Sequence, residues 1–233
     1  VSGEVAIDQN NRYITVELPR GTSTENLVAV FTLSDGASAS VNDIAQISGV
    51  TANDFRYPLN YKVVDANGKA AAWNVTVSIL AEGTGSADDP YIIKTAGELD
   101  CVRNHLESCF KLGADIDLGL GYYGRGSGWL PVGSTDTPFN GVFDGGGYII
   151  RNLFIYRPQD NYTGLFGCLG SKAIIKNVNL EDVMVYGGDY TGALAGDNHG
   201  IINTSCVTGS VHGDYWTGGL AGANSRGSIS NCY

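Results

Sequence analysis

Basic residues are scarce in this chain. Fourteen Lys and Arg stand against 24 Asp and Glu, for a formal net charge of −10 and an isoelectric point near 4.6. A surface that binds a phosphate backbone needs clustered Lys and Arg, and here they are dispersed, so nucleic acid is not an expected partner. Long apolar runs are missing too: none approaches the ~18–20 residues that a membrane-spanning helix needs. Also absent are Cys-x-x-Cys, His-Glu-x-x-His, Gly-x-Ser-x-Gly and a phosphate-binding loop. Gly124-Arg-Gly-Ser-Gly128 lacks the strand-then-helix setting that would give it meaning. No catalytic residue, resident metal or cofactor is therefore expected. Methionine occurs once and charged residues make up only 16 %.

Glycine and tyrosine are abundant, at 33 and 13 residues, and the apolar share of 43 % suffices for a core. This profile fits turn-rich all-β structure better than helices. The five cysteines, Cys101, Cys109, Cys168, Cys206 and Cys232, are odd in number. A Cys101–Cys109 disulfide is one option, and free thiols used as small core residues are the favoured one.

The last third of the chain repeats itself. Tyr162-Thr-Gly-Leu-Phe-Gly167, Tyr190-Thr-Gly-Ala-Leu-Ala-Gly196 and Trp216-Thr-Gly-Gly-Leu-Ala-Gly222 are each followed by an Ile-x-Asn-like element at Ile175, Ile202 and Ile229, 27 residues apart. A fixed period in this range marks a solenoid whose units bury their apolar faces on one another. Ile150-Arg-Asn152 reads as a fourth copy, so Ile150, Ile175, Ile202 and Ile229 are expected to stack in one column. Asn152, Asn177, Thr204 and Asn231 are expected to form a second column at a corner, where Asn tolerates left-handed backbone. Thr204 interrupts it. A coil of 27 residues suits three short strands, and the general crossover preference makes the coil right-handed.

Residues 1–81 carry no trace of the repeat. Arg12–Leu18 alternates polar and apolar residues, and Leu27–Leu33 is an apolar run expected to be covered on both faces. Leu59–Val64 and Ala72–Ile79 flank Asn67-Gly68, the signature of a hairpin. Six or seven short strands imply a β-sandwich. Ala81–Pro90, rich in Gly, Ser and Asp, is the linker. Beyond it, Thr95-Ala-Gly-Glu98 has the form of a capping box, with Leu99, Val102 and Leu106 at helical spacing. This helix is expected to cover the first coil.

Two resemblances follow. The hairpin phrase Tyr61-Lys-Val-Val-Asp-Ala-Asn-Gly68 with Trp73-Asn-Val-Thr-Val77 resembles the closing hairpin of Ig-like or cadherin-like modules of bacterial surface proteins, which implies a spacer role. The segments Gly164-Leu-Phe-Gly167, Gly192-Ala-Leu-Ala-Gly196 and Gly218-Gly-Leu-Ala-Gly222 resemble GLUG repeats, found in bacterial adhesins and secreted peptidases. The leader resembles theirs as well: Asp89-Pro-Tyr-Ile-Ile93, Ala114-Asp-Ile-Asp-Leu118, Trp129-Leu-Pro-Val-Gly133 and Phe139-Asn-Gly-Val-Phe-Asp-Gly145. The departures are Asp182 where the later repeat has Gly209, Thr204 in place of Asn, and a shortened first Gly-Leu-Phe-Gly. The expected fold is all-β: a sandwich over 1–81, then a short right-handed parallel β-helix over 82–233. Within the β-helix, the leader and one capping α-helix occupy 82–160 and the repeats 161–233.

Candidate chemistry is sparse. Asp115 and Asp117 share a strand face and suit acid–base or cation work, but alternation with Ile116 and Leu118 turns both to solvent. Asp88 and Asp89 suit calcium or a linker turn, and Asp144 an Asx-turn. His199 and His212, in solenoid turns, make a weak metal pair. Tyr162, Tyr190 and Trp216 should stack as a ladder, either as a platform for sugar rings or as corner packing. Tyr122, Tyr123 and Trp129, in an irregular stretch, form a second candidate binding surface.

The resemblance implies a non-catalytic adhesin at a bacterial cell surface or outside the cell. Its partner would be a glycan or a host or matrix protein. Two alternatives stand beside it: a β-helical polysaccharide lyase or hydrolase, or an accessory module of one, and an architectural stalk or fimbrial component. The chain opens at Val1 and stops within a coil at Tyr233. It is expected to be a monomer or part of a longer chain, tethered by a lipoprotein anchor outside these residues.

Overall fold

The computed structural model describes residues 3–19, 22–79, 81–119 and 123–233. The chain forms two compact units, Val1–Leu80 and Ala81–Tyr233. It is nearly all β, with one short α-helix among the described residues.

In the first unit, six strands form one sheet in the order Glu4–Asp8, Tyr13–Leu18, Ala70–Ile79, Leu59–Val64, Ser38–Val41, Ile44–Ala45. Tyr13–Leu18 and Ala70–Ile79 run parallel and the other neighbours antiparallel. The hairpin around Asn67-Gly68 forms as its turn chemistry dictates, with Gly68 at φ +82° and Asp65 accepting from the Asn67 and Lys69 amides. A two-stranded ribbon, Leu27–Val28 with Ala52–Asn53, lies apart from this sheet. Leu27, Phe31 and Leu33 from the ribbon side pack on the core of Leu18, Val41, Phe55, Tyr61 and Val77. The run Leu27–Leu33 is thus covered on one face only. Its residues alternate between half-buried and exposed, and Val30 is 86 % exposed.

The second unit is a β-solenoid of about four turns. Its first face stacks Tyr91–Ile93, Cys109–Leu112, Val142–Asp144, Ile174–Lys176, Ile201–Asn203 and Ser228–Ser230, all parallel. The second face carries Ile116–Asp117, Ile149–Arg151 with Phe154–Tyr156, Asn179–Tyr186 and Cys206–His212. Phe166–Leu169, Ala195–Asn198 and Ala221–Ala223 form the third. The two-residue strands Thr191–Gly192 and Thr217–Gly218 make a short corner between the second and third. Leu153, Leu165, Leu169, Ile175, Leu180, Leu194 and Ile202 are fully buried between the faces. In the wider early coils the space is filled by a chain of rings, Phe110, Phe139, Phe143 and Phe166, with centroids 4.9–6.4 Å apart. The five cysteines are free thiols.

Ile175, Ile202 and Ile229 pair as the period requires, but Ile150 is not in their column. The residue below Ile175 is Phe143, and Ile150 stacks instead between Ile116 and Leu180 on the next face. The reason is local. Asn152 (φ +59°) ends a second-face strand in left-handed backbone, as Asn177 (φ +54°) ends a first-face strand. One short signature therefore serves two corners.

Thr204 takes the same conformation at φ +49°. A β-branched residue is strained there, at a cost of about 1–2 kcal/mol. Thr204→Asn is expected to raise stability by about 1 kcal/mol in urea unfolding. A neutral or destabilising result would show that the threonine is not under strain.

Asp144 forms the expected Asx-turn with the Gly146 amide (2.9 Å) and clips the neighbouring coil through Asn177 Nδ2 (2.9 Å) and Lys176 Nζ (3.2 Å). Burial opposes its charge, yet these donors hold its carboxyl below the ordinary range. A depressed folded value contributes stability above the unfolded pKa of about 3.9, and this is lost as pH falls through the folded value. Asp144→Asn should therefore cost about 1.5–3 kcal/mol at pH 7 and progressively less below about pH 4. Unfolding curves at pH 7 and pH 3 test this; a cost that stays constant would be the contrary result.

The entrance helix Ala96–Asp100 has its full capping box: Thr95 Oγ1 accepts from the Glu98 amide at 3.2 Å and Glu98 Oε2 from the Thr95 amide at 3.0 Å. It tightens into a 3-10 turn over Cys101–Asn104 instead of continuing to Leu106. Leu99 and Val102 complete the core at this end.

Candidate functional site

The corner after the second face is built the same way in three coils. An aromatic residue in left-handed backbone, Tyr162, Tyr190 or Trp216 (φ +60°, +59°, +53°), precedes a threonine. Thr163 and Thr191 are buried, and the hydroxyls of Thr163, Thr191 and Thr217 donate back to the carbonyls of Asp160, Gly188 and Asp214. Each corner is also clamped by the next: the Tyr162 amide donates to Asp189 O and the Tyr190 amide to Tyr215 O, both at 2.9 Å. The rings stack face to face with centroids 4.6 Å apart and planes within 10° and 14°.

This ladder lies at the surface: Tyr162 and Tyr190 are half-buried and Trp216 is 57 % exposed. Stacking changes what it can do. Tyr190 is sandwiched, so neither of its faces is open to a sugar ring. The ladder offers ring edges and hydroxyls along its length, and a free face at Trp216.

A second column escapes sequence reasoning. Tyr156, Tyr186 and His212 occupy one register of the second face, with Tyr186 and His212 stacked at 4.6 Å and 11° and Tyr156 tilted at 5.7 Å. The residue types differ and the spacing is uneven, so no period shows. The available signal was position relative to the ladder, four residues before Tyr190 and before Trp216 and six before Tyr162.

On the other side of Tyr162 lies a groove of about 600 Å³ lined by Tyr162, Cys168, Ser171, Asp197, His199 and Arg226, among others. Its polar groups come from three coils. Asp197, only 6 % exposed, accepts from Ser225 Oγ at 2.8 Å and pairs with His199 Nε2 at 3.0 Å. Burial and the Asp197 charge push the Cys168 thiol up to about 12, which keeps it protonated and unreactive. Burial and neighbouring Tyr190 likewise raise the Tyr162 hydroxyl, so it stays neutral. The groove thus presents hydroxyls, an imidazole, a guanidinium and an aromatic edge.

The other candidates separate from this face. Trp129 is fully buried, with Nε1 donating to Leu165 O at 3.0 Å, and Tyr123 is 4 % exposed with its ring 5.5 Å from that of Trp129. Both are core rather than platform. Tyr122 lies outside the described residues. Asp115 and Asp117 do face solvent, where each ties down a neighbouring segment: Asp115 takes the Ile149 amide and Arg151, and Asp117 takes Asn152 Nδ2 and the Gly119 amide. The Asn152 hydrogen bond holds the Asp117 carboxyl below its ordinary range. Asp89 sits in a turn held by Ser86 and Thr84. His199 pairs with Asp197 at the end of a third-face strand while His212 stacks on the second face, so they do not meet. Among the described residues, no three His, Cys, Asp or Glu side chains are gathered as a metal ion requires.

Known proteins add to this picture. Residues 1–77 match the family SGBP, N-terminal. The SGBP segment is the N-terminal part of surface glycan-binding proteins, and it covers the unit read from sequence as Ig-like or cadherin-like. Apart from this family match, the chain is 39 % identical over 141 residues to a protein of Evansella cellulosilytica named as a Gly-rich membrane protein. It is 28 % identical over 247 residues to halomucin of Haloquadratum walsbyi. These alignments take in 56 % and 98 % of this chain, which spans 16 % and 3 % of the two relatives. A solved structure described as an immunoglobulin A1 protease from Bacteroides ovatus superposes on 65 % of the chain and 76 % of its own length, with 19 % identity and a TM-score of 0.35. Among the described residues no helix is long and apolar enough to cross a membrane.

Proposed function

We propose that this chain is a non-catalytic glycan-binding module of a cell-surface protein, and that the groove beside Tyr162 is its contact surface. The observation that carries the reading is the makeup of that groove, with an aromatic edge beside hydroxyls, a fixed carboxylate–imidazole pair and a guanidinium. A polyhydroxylated ligand needs this mixture: apolar contact for C–H faces and a few held polar groups for its hydroxyls. The SGBP match of the first unit and the first relative's name as a Gly-rich membrane protein agree with it. GLUG-type repeats, a lipoprotein tether and an adhesive role toward host or matrix proteins belong to the same proposal at a finer level.

Tyr162→Ala and His199→Ala are each expected to weaken binding to a responsive glycan about tenfold, measured by calorimetry after array screening. Wild-type protein should release no new reducing ends from that glycan. Binding by neither wild type nor variants to any glycan would favour an architectural stalk. Release of reducing ends would favour a lyase or hydrolase.

A further inference from the structure

Within the groove the charges are unevenly answered. Both oxygens of Asp197 are already engaged, Oδ1 by Ser225 and Oδ2 by His199. The thiol of Cys168 and the hydroxyl of Tyr162 are held neutral by burial and by their neighbours. Arg226 is different. Its backbone amide is anchored on Asn198 O (3.5 Å), but among the described residues its guanidinium has no hydrogen-bonding or ionic partner. A guanidinium offers donors in a rigid fork that matches a planar carboxylate in two parallel bonds.

We propose that the groove selects glycans carrying carboxylate sugars, with Arg226 reading the carboxylate while Tyr162, Ser171 and the Asp197–His199 pair meet the ring and its hydroxyls. This deepens the glycan-binding reading and rests on it. The overall charge of −10 does not oppose it at contact range, because exposed charges are screened beyond about 8 Å at physiological salt.

The test uses the whole chain and three probes of equal length: an oligogalacturonate, its methyl ester and a neutral galacto-oligosaccharide. A sulfated oligosaccharide is the fourth arm. Wild-type protein should bind the free acid about tenfold or more tightly than its ester. Arg226→Gln should remove that preference, so that acid and ester bind alike, and Arg226→Lys should restore only part of it. Arg226 is exposed, so the variants should melt with wild type. Equal binding of acid and ester, or an unaltered preference in Arg226→Gln, would overturn the proposal. Preference for the sulfated probe would overturn the carboxylate assignment. Binding of the neutral probe alone, lost in Tyr162→Ala, would overturn it while leaving the groove as a glycan site. Failure of all probes and of the wider glycan panel would remove both readings.

Discussion

Replacing Trp129 with alanine is expected to cost about 3–5 kcal/mol of stability while leaving glycan affinity per folded molecule unchanged. The side chain is fully buried, donates to Leu165 O and touches the Tyr123 ring. The Arg103 guanidinium lies 5.5 Å from its ring centroid. Alanine would leave a cavity that the stiff surrounding strands cannot close, and would strip a cation of its aromatic face. Guanidinium unfolding measures the cost, and calorimetry with a responsive glycan measures the affinity. A variant of near wild-type stability that had lost binding would return Trp129 to the list of ligand contacts. Tyr162→Ala should behave in the opposite way, because Tyr162 is a half-buried surface residue.

Asp100→Ala should be comparably damaging, at about 3–5 kcal/mol. Asp100 has no exposed surface, and its Oδ1 accepts from Arg103 Nη2 at 2.6 Å and Nε at 3.0 Å. Arg103 also donates to the carbonyls of Leu130 and Pro131, at 2.9 and 3.4 Å, which ties the entrance helix to the segment around Trp129. Removing the carboxylate leaves a nearly buried guanidinium without its anion. The loss comes from that orphaned charge rather than from the worth of the pair. The double change Asp100→Ala with Arg103→Met should therefore be less harmful than the two single costs added together. A thermodynamic cycle reads this directly, and simple additivity would show that the two side chains are not coupled.

How much of this was legible beforehand varied with the kind of interaction. The capping box at Thr95 and Glu98 and the hairpin at Asn67-Gly68 were readable because each depends on residues within a few positions of one another. The column Ile175, Ile202, Ile229 was readable because equal spacing puts equal residues at equal heights. Ile150 was misplaced because Ile-x-Asn encodes a strand that ends in a left-handed corner, and this solenoid has more than one such corner. Phe143, its true counterpart, shares neither residue type nor spacing, since 32 residues separate it from Ile175. Tyr123 and Trp129 lie in a stretch with no period, where composition alone cannot distinguish an exposed loop from one folded inward to fill a wide early coil. The groove was invisible for a related reason: Cys168, Asp197 and Ser225 differ in every coil, and only stacking brings them together.

Periodicity alone was enough for the parallel solenoid, since every unit makes the same contacts with the next and one length repeats. It was enough, too, for the existence of the aromatic ladder, because Tyr162, Tyr190 and Trp216 hold equivalent places in successive units. Which way the ladder faces was decided only in three dimensions. Strand alternation assigns side chains to faces, but each of these residues sits at φ near +60°, where alternation breaks and the chain turns. That turn sets the rings at the surface, stacks them until their faces are largely covered, and leaves the groove beside Tyr162 as the open surface.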